Sequence, residues 1–264
     1  MRCKTLIVLG LISIFTACEK QDARPDIELF GHAGMGLNQS YSLTKSDSKE
    51  AFESCLSFSE MTGVEMDVQM DKQGEFWFYH GDFVESKNGD FCIPELTTEE
   101  VRKLEISGRK EGLLKVRDFP FENYPNAKFL FDIKHYNAAQ QKIIDSTLFF
   151  DNMSDFLKGK NMNIEFITLV KVWLPSFINR NWFVYYDSQS SADIDIVISE
   201  PSEVKGISTR ASLFNKDEIK ALKDKNIKVL LFGINSPKAH KKIRKLAPSG
   251  IITDDVRGAI LELR

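Results

Sequence analysis

The sequence is poor in cysteine and histidine, with four residues of each among 264. So few cysteines exclude a small fold held together by several disulfides. Lysine and arginine do not outnumber aspartate and glutamate (35 against 38), and no basic stripe that could follow a nucleic-acid backbone is present. We therefore expect no nucleic-acid partner. The basic run from Lys238 to Lys245 has helical spacing and is more typical of a solvated helix face.

Length and composition favour a single domain. From Asp26 onward the chain lacks low-complexity stretches, repeats of fixed period and long polar gaps, so we expect residues 27–264 to form one domain. Hydrophobic residues make up 42% of the chain, which is enough to bury a sizeable core. The length also fits one α/β barrel, which usually needs roughly 250 residues.

The amino terminus carries a targeting signal. Arg2 and Lys4 precede an apolar run over residues 6–15, which is too short to span a membrane as a mature helix. This pattern is typical of a secretory leader. We therefore expect residues 1–17 to be a signal peptide.

The stretch FTAC, which ends at Cys18, resembles a bacterial lipobox, in which the leader is cut before a cysteine that then carries lipid. A polar segment follows, so we expect residues 18–26 to tether the domain to a membrane of the bacterial cell envelope. Plain secretion, with cleavage nearby, is the alternative. In the predicted domain, Cys55 and Cys92 could pair in an oxidising compartment, but two cysteines give no distance, so this stays open.

Short apolar segments alternate with amphipathic ones along the predicted domain. Parallel strands with crossover helices give this pattern, and a closed barrel covers both faces of every strand. We expect an α/β fold, a TIM-type (β/α)8 barrel, with an open doubly wound sheet as the alternative. We also expect a helix over 137–157. The predicted strand segments are IELFGHAG, GVEMDVQM, EFWFYHGD, AKFLFDIKH, IEFITLVKVW, DIDIVIS, IKVLLFGIN and SGIITDD.

Two predicted strands carry acidic residues on one face. In GVEMDVQM, Glu65 and Asp67 point to one side while the apolar residues point to the other. Asp132 and Lys134 share a face of FLFDIKH in the same way. Inward carboxylates of a barrel must be paired or bind a cation at the carboxyl-terminal rim, and three of them suit Ca²⁺ or Mg²⁺. Ion-paired residues on a half-solvated strand are the alternative.

Two of the four histidines, His32 and His80, follow predicted strands. An imidazole accepts or donates a proton near neutral pH because its unperturbed pKa is about 6.5. A lone histidine at a strand end is more often structural. A pair that flanks two alternating carboxylates favours acid-base chemistry.

Four motifs together resemble the glycerophosphodiester phosphodiesterase family. The likeness covers nearly all of 27–264 and is weak over about 137–207. Its most specific part runs from the Glu-x-Asp strand to the second histidine. The motifs are GHAG, GVEMDVQMDKQGEFWFYHGD, FLFDIK and GIITDD.

The resemblance implies a TIM-type barrel with one divalent cation, Ca²⁺ or Mg²⁺, held by Glu65, Asp67 and Asp132. This cation would bind a phosphodiester oxygen and neutralise charge that builds on phosphorus. The implied substrate is a small-molecule or lipid-derived phosphodiester.

The resemblance also implies roles for three further residues. His32 and His80 would be the acid-base pair, one assisting attack by water or an adjacent hydroxyl and the other protonating the departing alkoxide. Lys134 would hold a phosphate oxygen. His135 and His240 match none of the motifs, and we expect them to be structural or surface residues.

The chain departs from the family pattern at several points. Ala33 stands where the family usually has an arginine, so a bidentate phosphate clamp is missing. The family's Glu-Asn-Thr turn appears as residues 46–48, Ser-Asp-Ser, and extra residues occupy about 37–45. Asp132 replaces a usual glutamate. These changes affect substrate recognition more than acid-base chemistry.

We therefore expect metal-dependent hydrolysis of a glycerophosphodiester-type substrate at the cell envelope, with a substrate that differs from the family's usual one. Two alternatives remain. One is a phospholipase of the same barrel type, resembling phosphatidylinositol-specific phospholipase C or sphingomyelinase D. The other is a catalytically idle barrel that binds an envelope phosphodiester or a partner protein.

Overall fold

The computed structural model of the chain describes a set of ranges within the predicted domain. These are residues 26–37, 44–109, 111–193, 197 and 204–264. The expected signal peptide, Cys18 and the tether up to residue 25 lie outside them, so those assignments stay predictions.

Strands and helices alternate over most of the chain. The strands are β1 (Glu28–Gly31), β2 (Gly63–Met70), β3 (Phe76–Phe78), β4 (Val84–Ser86), β5 (Gly89–Phe91), β6 (Lys128–Ile133), β7 (Tyr136–Asn137), β8 (Lys142–Ile143), β9 (Asn163–Thr168), β10 (Phe183–Ser188), β11 (Gly206–Arg210), β12 (Lys228–Ile234) and β13 (Gly250–Thr253). The helices are α1 (Lys49–Leu56), α2 (Thr98–Arg102), α3 (Ser146–Leu157), α4 (Leu174–Asn179), α5 (Lys216–Asp224), α6 (Pro237–Leu246) and α7 (Val256–Leu263).

Eight of these strands form a closed parallel barrel. Around the barrel the order is β1, β2, β6, β9, β10, β11, β12 and β13, and β13 pairs with β1. The closure confirms the TIM-type barrel and excludes the open doubly wound sheet. Because all eight strands run the same way, their carboxyl ends meet at one mouth.

Alternation along the strands separates an outer core from the barrel interior. On β2, Val64, Met66 and Val68 are fully buried in the large core between the strands and the helices. Burying such a side chain stabilises the fold by roughly 1.5–3 kcal/mol. Each of these helices except α4 starts where a side chain accepts from a free backbone N–H group, as Ser48 does from Ala51 N at the start of α1.

A second, smaller cluster of apolar side chains fills the inside of the barrel, and it consists of Phe30, Leu130, Ile167, Tyr185, Leu230 and Ile252. Below it, at the amino end, the Tyr185 hydroxyl donates to Glu165 (2.9 Å), and Lys128 pairs with the same carboxylate (3.0 Å). The amino end is therefore plugged, which leaves the mouth at the carboxyl end as the place for a site.

Three sequence-based expectations are wrong in detail. β3, within EFWFYHGD, pairs antiparallel with β2 and is not a barrel strand. The expected helix over 137–157 begins only at α3, because β7 and β8 form a hairpin first. The expected strand DIDIVIS is not a strand where it is described, since residues 193 and 197 are helical.

Cys55 and Cys92 are both buried and free. Cys55 Sγ contacts the carbonyl of Gly63 (3.6 Å), whereas Cys92 Sγ contacts Asn137 Oδ1 (3.5 Å). Burial raises the pKa of Cys55 to about 12. The open question of pairing is thus answered against a disulfide, and Cys55 is an unreactive core thiol.

Candidate active site

The predicted site residues meet in a cavity at the mouth of the barrel. Glu65 lies in β2 and His32 follows β1, while Asp132 lies in β6 directly opposite Asp67 in register. The cavity has a volume of about 470 Å³ and is lined by both histidines, Glu65, Asp132 and Lys134. Inward alternation on β2 and β6 therefore brings together the side chains that the sequence separates.

Three carboxylates converge at this mouth. One oxygen from each of Glu65, Asp67 and Asp132 lies within 4.8 Å of the other two. Glu65 and Asp67 are almost completely buried, and Asp132 is partly exposed. Glu65 Oε1 and Asp67 Oδ2 have no hydrogen-bond partner in the described structure. Burying a carboxylate oxygen without a hydrogen-bond donor costs free energy unless another positive group contacts it. The three carboxylates are therefore suited to bind a cation.

Lys134 lies between two of these acids. Its Nζ is 2.7 Å from Asp67 Oδ1 and 2.6 Å from Asp132 Oδ2. Around a bound cation, three carboxylates and the Lys134 ammonium would leave two negative charges, which one divalent ion would balance. The all-oxygen donor set suits Ca²⁺ or Mg²⁺.

The pKa values of Glu65 and Asp67 shift in opposite directions because the two carboxyl groups have different neighbours. Burial, and then the charges of Asp67 and Asp132, raise the pKa of Glu65 well above its ordinary value. Burial opposes ionisation of Asp67 too, but Lys134 and the two histidines outweigh it and lower the pKa of Asp67. Burial also disfavours the Lys134 ammonium, yet the surrounding carboxylates raise its pKa well above the usual value. Lys134 is therefore a fixed positive charge.

His32 and His80 face each other beside the acids. Their ring centroids are 6.3 Å apart, with an interplanar angle of 78°. His80 comes from the loop after β3, so the hairpin outside the barrel supplies this imidazole. His32 Nε2 lies 4.0 Å from Glu65 Oε2. The two rings are close enough to contact one phosphate group that binds next to the acids.

Asp254 orients His32. Asp254 Oδ1 lies 2.8 Å from His32 Nδ1 and also accepts a hydrogen bond from Leu37 N (3.0 Å). Burial opposes ionisation of Asp254, but its bond to His32 outweighs this and lowers its pKa. An ionised partner at Nδ1 favours the tautomer whose Nε2 is free to accept a proton.

Ala33 has a different function from the arginine expected at its position. Its backbone is left-handed (φ 45°), and its N–H donates to Glu65 Oε2 at 2.8 Å. The methyl group is fully buried. Ala33 thus holds a metal-ligand candidate in place and has no side chain that could reach a phosphate.

Sequence reasoning missed four residues around the mouth. Asp254 lies in the GIITDD motif, but the family resemblance implied no role for it. Asp47 is buried, and its Oδ1 accepts from Asp67 N (3.2 Å). Asp187 and Arg210, at the ends of β10 and β11, line the cavity. A signal for the last two was available, because residues at the carboxyl ends of barrel strands face the mouth, but β10 and β11 were not among the predicted strands.

The other two histidines lie outside the cavity. His240 is fully buried, with Nε2 3.0 Å from Thr253 Oγ1. His135 Nδ1 lies 3.1 Å from the carbonyl of Ile133, and its ring packs on Trp173. Both therefore have structural contacts, as expected. The exposed basic face of α6 also lies away from the cavity lining.

None of the helices in the described ranges has the length and apolar character needed to cross a bilayer. Comparison of the sequence with protein-family models gives no match, and comparison with curated proteins gives none either.

Solved structures do resemble this chain. A glycerophosphodiester phosphodiesterase from Thermotoga maritima matches with a TM-score of 0.68 and 20% identity, covering 90% of this chain and 98% of that one. A glycerophosphodiester phosphodiesterase from Parabacteroides distasonis matches with a TM-score of 0.71, 14% identity and coverages of 90% and 98%.

A third similar structure is an Oleispira antarctica phosphodiesterase in complex with the product sn-glycerol-3-phosphate. Its TM-score is 0.73 at 15% identity, with 89% of this chain and 96% of that one covered. At such identities the likeness is one of fold. This chain therefore has the barrel fold of the solved glycerophosphodiester phosphodiesterases, the family whose motifs its sequence resembles.

Proposed function

We propose that this protein hydrolyses a glycerophosphodiester in a metal-dependent reaction. The observation that carries the proposal is the meeting of two imidazoles, 6.3 Å apart, with three carboxylates at one barrel mouth. A structural pair of histidines has no need of buried acids with unsatisfied oxygens beside it. The fold and the motif resemblance point to the same substrate class.

Glu65, Asp67 and Asp132 would hold the cation. When bound, a Ca²⁺ or Mg²⁺ ion supplies charge neutralisation at a phosphodiester oxygen. Lys134 lowers the pKa of Asp67, contacts Asp132 and adds positive charge beside the phosphate. The Ala33 N–H donates to Glu65 Oε2 and so orients this carboxylate towards the proposed cation site.

His32 and His80 would move the protons. One ring takes a proton from the attacking water or from an adjacent substrate hydroxyl, and the other gives a proton to the departing alkoxide. Asp254 fixes the His32 ring through Nδ1. The closeness of the rings lets both act on one phosphorus.

The cellular setting is part of the proposal. Residues 1–17 read as a secretory leader, and Cys18 would carry the lipid that anchors the barrel to a membrane of the bacterial envelope. Mass spectrometry of the mature amino terminus tests this. A free, unmodified amino terminus at another residue would exclude the anchor.

The test of activity uses the leader-free protein with glycerophosphoethanolamine and glycerophosphoglycerol, with Ca²⁺ or Mg²⁺ and with a chelator. His32→Ala and His80→Ala are assayed beside it. We expect each substitution, and the chelator, to lower alcohol release by at least about 10²-fold. Equal release by all versions would make the enzymatic proposal wrong. Binding of a diester without turnover would instead favour the idle barrel.

A further inference from the structure

The cavity is poor in positive charge that a substrate could use. Besides the histidines, Lys134 and Arg210 are the cationic side chains that line it in the described ranges. Lys134 already contacts two carboxylates, at 2.7 and 2.6 Å. A phosphodiester brings a negative charge to a mouth that Asp132 and Asp254 also line, so a cationic side chain beyond the proposed cation site would favour its binding.

Arg210 is the cation that remains. It is the last residue of β11 and is exposed at the mouth. Within the part of the chain that is described, its guanidinium forms none of the close carboxylate contacts that hold Lys134, although its charge acts on Asp187. A guanidinium that lines a cavity presents its planar fork of N–H donors to an incoming anion.

The position of Arg210 is supported by its neighbour on β12. Arg210 and Phe232 are register partners, and the guanidinium carbon lies 5.5 Å from the centre of the Phe232 ring. Phe232 and Gly233 lie where the pairing of β12 with β13 shifts, and Gly233 takes a positive φ of 75°. Such a bulge re-aims side chains, and Phe232 lines the cavity itself. The ring thus gives the guanidinium a platform at the cavity wall.

The surrounding wall is polar. Gln189, Ser208 and Asn235 line the cavity near the ends of β10, β11 and β12. These side chains suit a small alcohol with hydroxyl or amino groups better than an acyl chain, which would leave their polar groups unpaired.

We infer that Arg210 binds the substrate phosphate, supplying from β11 the bidentate contact that Ala33 does not provide. The inference rests on the proposed function and assigns a specificity-determining residue to the same site. Because β11 lies across the barrel from β2, the phosphate would lie between Arg210 on one wall and the acids and histidines on the other.

The experiment measures binding of glycerol 3-phosphate by calorimetry, with glycerol as the uncharged comparison, in chelator and again with Mg²⁺. The variants are Arg210→Gln, which removes the charge, and Arg210→Lys, which keeps the charge without the fork. Arg180→Gln is the matched control, because Arg180 also lies over aromatic rings (4.8 Å from the Phe150 ring centre) but precedes β10 at the amino end. Melting curves verify that all variants are folded.

We expect Arg210→Gln to weaken glycerol 3-phosphate binding by about tenfold or more and to lower kcat/KM by a similar factor, mainly through KM. Arg210→Lys should recover part of this loss. Arg180→Gln should bind as the unaltered protein does.

The outcomes separate this inference from the proposed function. Equal binding of glycerol 3-phosphate by the unaltered protein and folded Arg210→Gln, or no binding by either, overturns the inference. Arg210-dependent binding without hydrolysis of any diester supports the inference and sinks the proposed function.

Discussion

His32 and Asp254 join the first and last strands of the barrel through a 2.8 Å contact between Nδ1 and Oδ1. They are 222 positions apart in the chain, and β1 pairs with β13 where they meet. The pairing of β1 with β13, which closes the barrel, therefore also orients the His32 imidazole. The orientation of the His32 ring depends on the position of β13, because Asp254 directly follows that strand.

Asp254→Asn tests this relationship. Asparagine carries no negative charge, so it would hold the His32 ring and its Nδ1 proton less firmly than the carboxylate does, while its oxygen still accepts from Leu37 N. We expect kcat to fall by about 10- to 100-fold with little change in KM. Steady-state kinetics with a glycerophosphodiester measures both constants.

The control for this substitution is Asp255→Asn. Asp255 caps α7 by accepting from Gly258 N at 2.9 Å, and asparagine caps as well as aspartate. Activity should stay within about twofold of the unaltered protein. An equal loss of kcat in both variants, or a loss in Asp254→Asn that follows unfolding, would argue against an orienting role.

Glu65→Gln tests the cation site through stability. Burial and neighbouring negative charges disfavour the ionised Glu65 carboxyl in the metal-free protein, so glutamine should raise the free energy of unfolding in chelator at pH 8. Glutamine still accepts from Ala33 N–H. In contrast, the stabilisation by added Ca²⁺, about 2.7 kcal/mol at 100 times Kd for the unaltered protein, should largely disappear.

Urea unfolding with and without Ca²⁺ measures both effects. Glu99→Gln serves as the control, because Glu99 is exposed and forms surface ion pairs with little effect on stability. A Ca²⁺-dependent gain that is unchanged in Glu65→Gln would place the ion elsewhere.

Asp187 predicts a pH dependence of stability. Burial, and then the charge of Asp132, raise the pKa of Asp187 to about 7, whereas the unfolded value is near 3.8. Between these pH values the folded protein binds more protons than the unfolded chain, so Asp187 makes stability fall as pH rises from about 4 to 7. Asp187→Asn removes this contribution.

We expect the stability of Asp187→Asn relative to the unaltered protein to increase from pH 4 to pH 8 by about 1 kcal/mol or more in chelator. Urea unfolding across this pH range measures it. Asp155→Asn, on the exposed side of α3, should follow the unaltered protein. A constant difference between Asp187→Asn and the unaltered protein across pH would contradict the shift.

The facing of Glu65 and Asp67 could be predicted because it depends only on the alternation of neighbouring residues along one strand. Alternation on β2 alone puts Glu65 and Asp67 on the face opposite Val64 and Met66. The register that sets Asp67 opposite Asp132 is a long-range property. The expectation of a closed parallel barrel predicted that the three acids meet at one mouth, but it did not predict this register.

The errors arose where local pattern and tertiary structure disagree. DIDIVIS alternates like a strand, yet β10 and β11 on either side of it complete the barrel. The segment at 136–143 has few strand formers, but Tyr136 pairs with Ile143 across a turn in which Gln141 has a positive φ of 51°. Residue spacing alone predicts neither that DIDIVIS lies outside the barrel nor that residues 136–143 form a hairpin.

The missed site residues share one cause. Asp254, Asp187 and Arg210 acquire meaning only through partners on neighbouring strands, such as the Phe232 ring beside Arg210. Aspartate and arginine at a strand end are common on any protein surface. Their convergence on one cavity is a product of barrel closure.

The central claim is that one cation and one phosphate group share the mouth with both imidazoles. Anomalous diffraction from crystals grown with Ca²⁺ and glycerol 3-phosphate tests it most directly. We predict one calcium peak about 2.3–2.6 Å from an oxygen each of Glu65, Asp67 and Asp132, with the phosphorus between His32 and His80. A calcium peak away from these carboxylates, or a phosphate bound outside the cavity, would contradict the account.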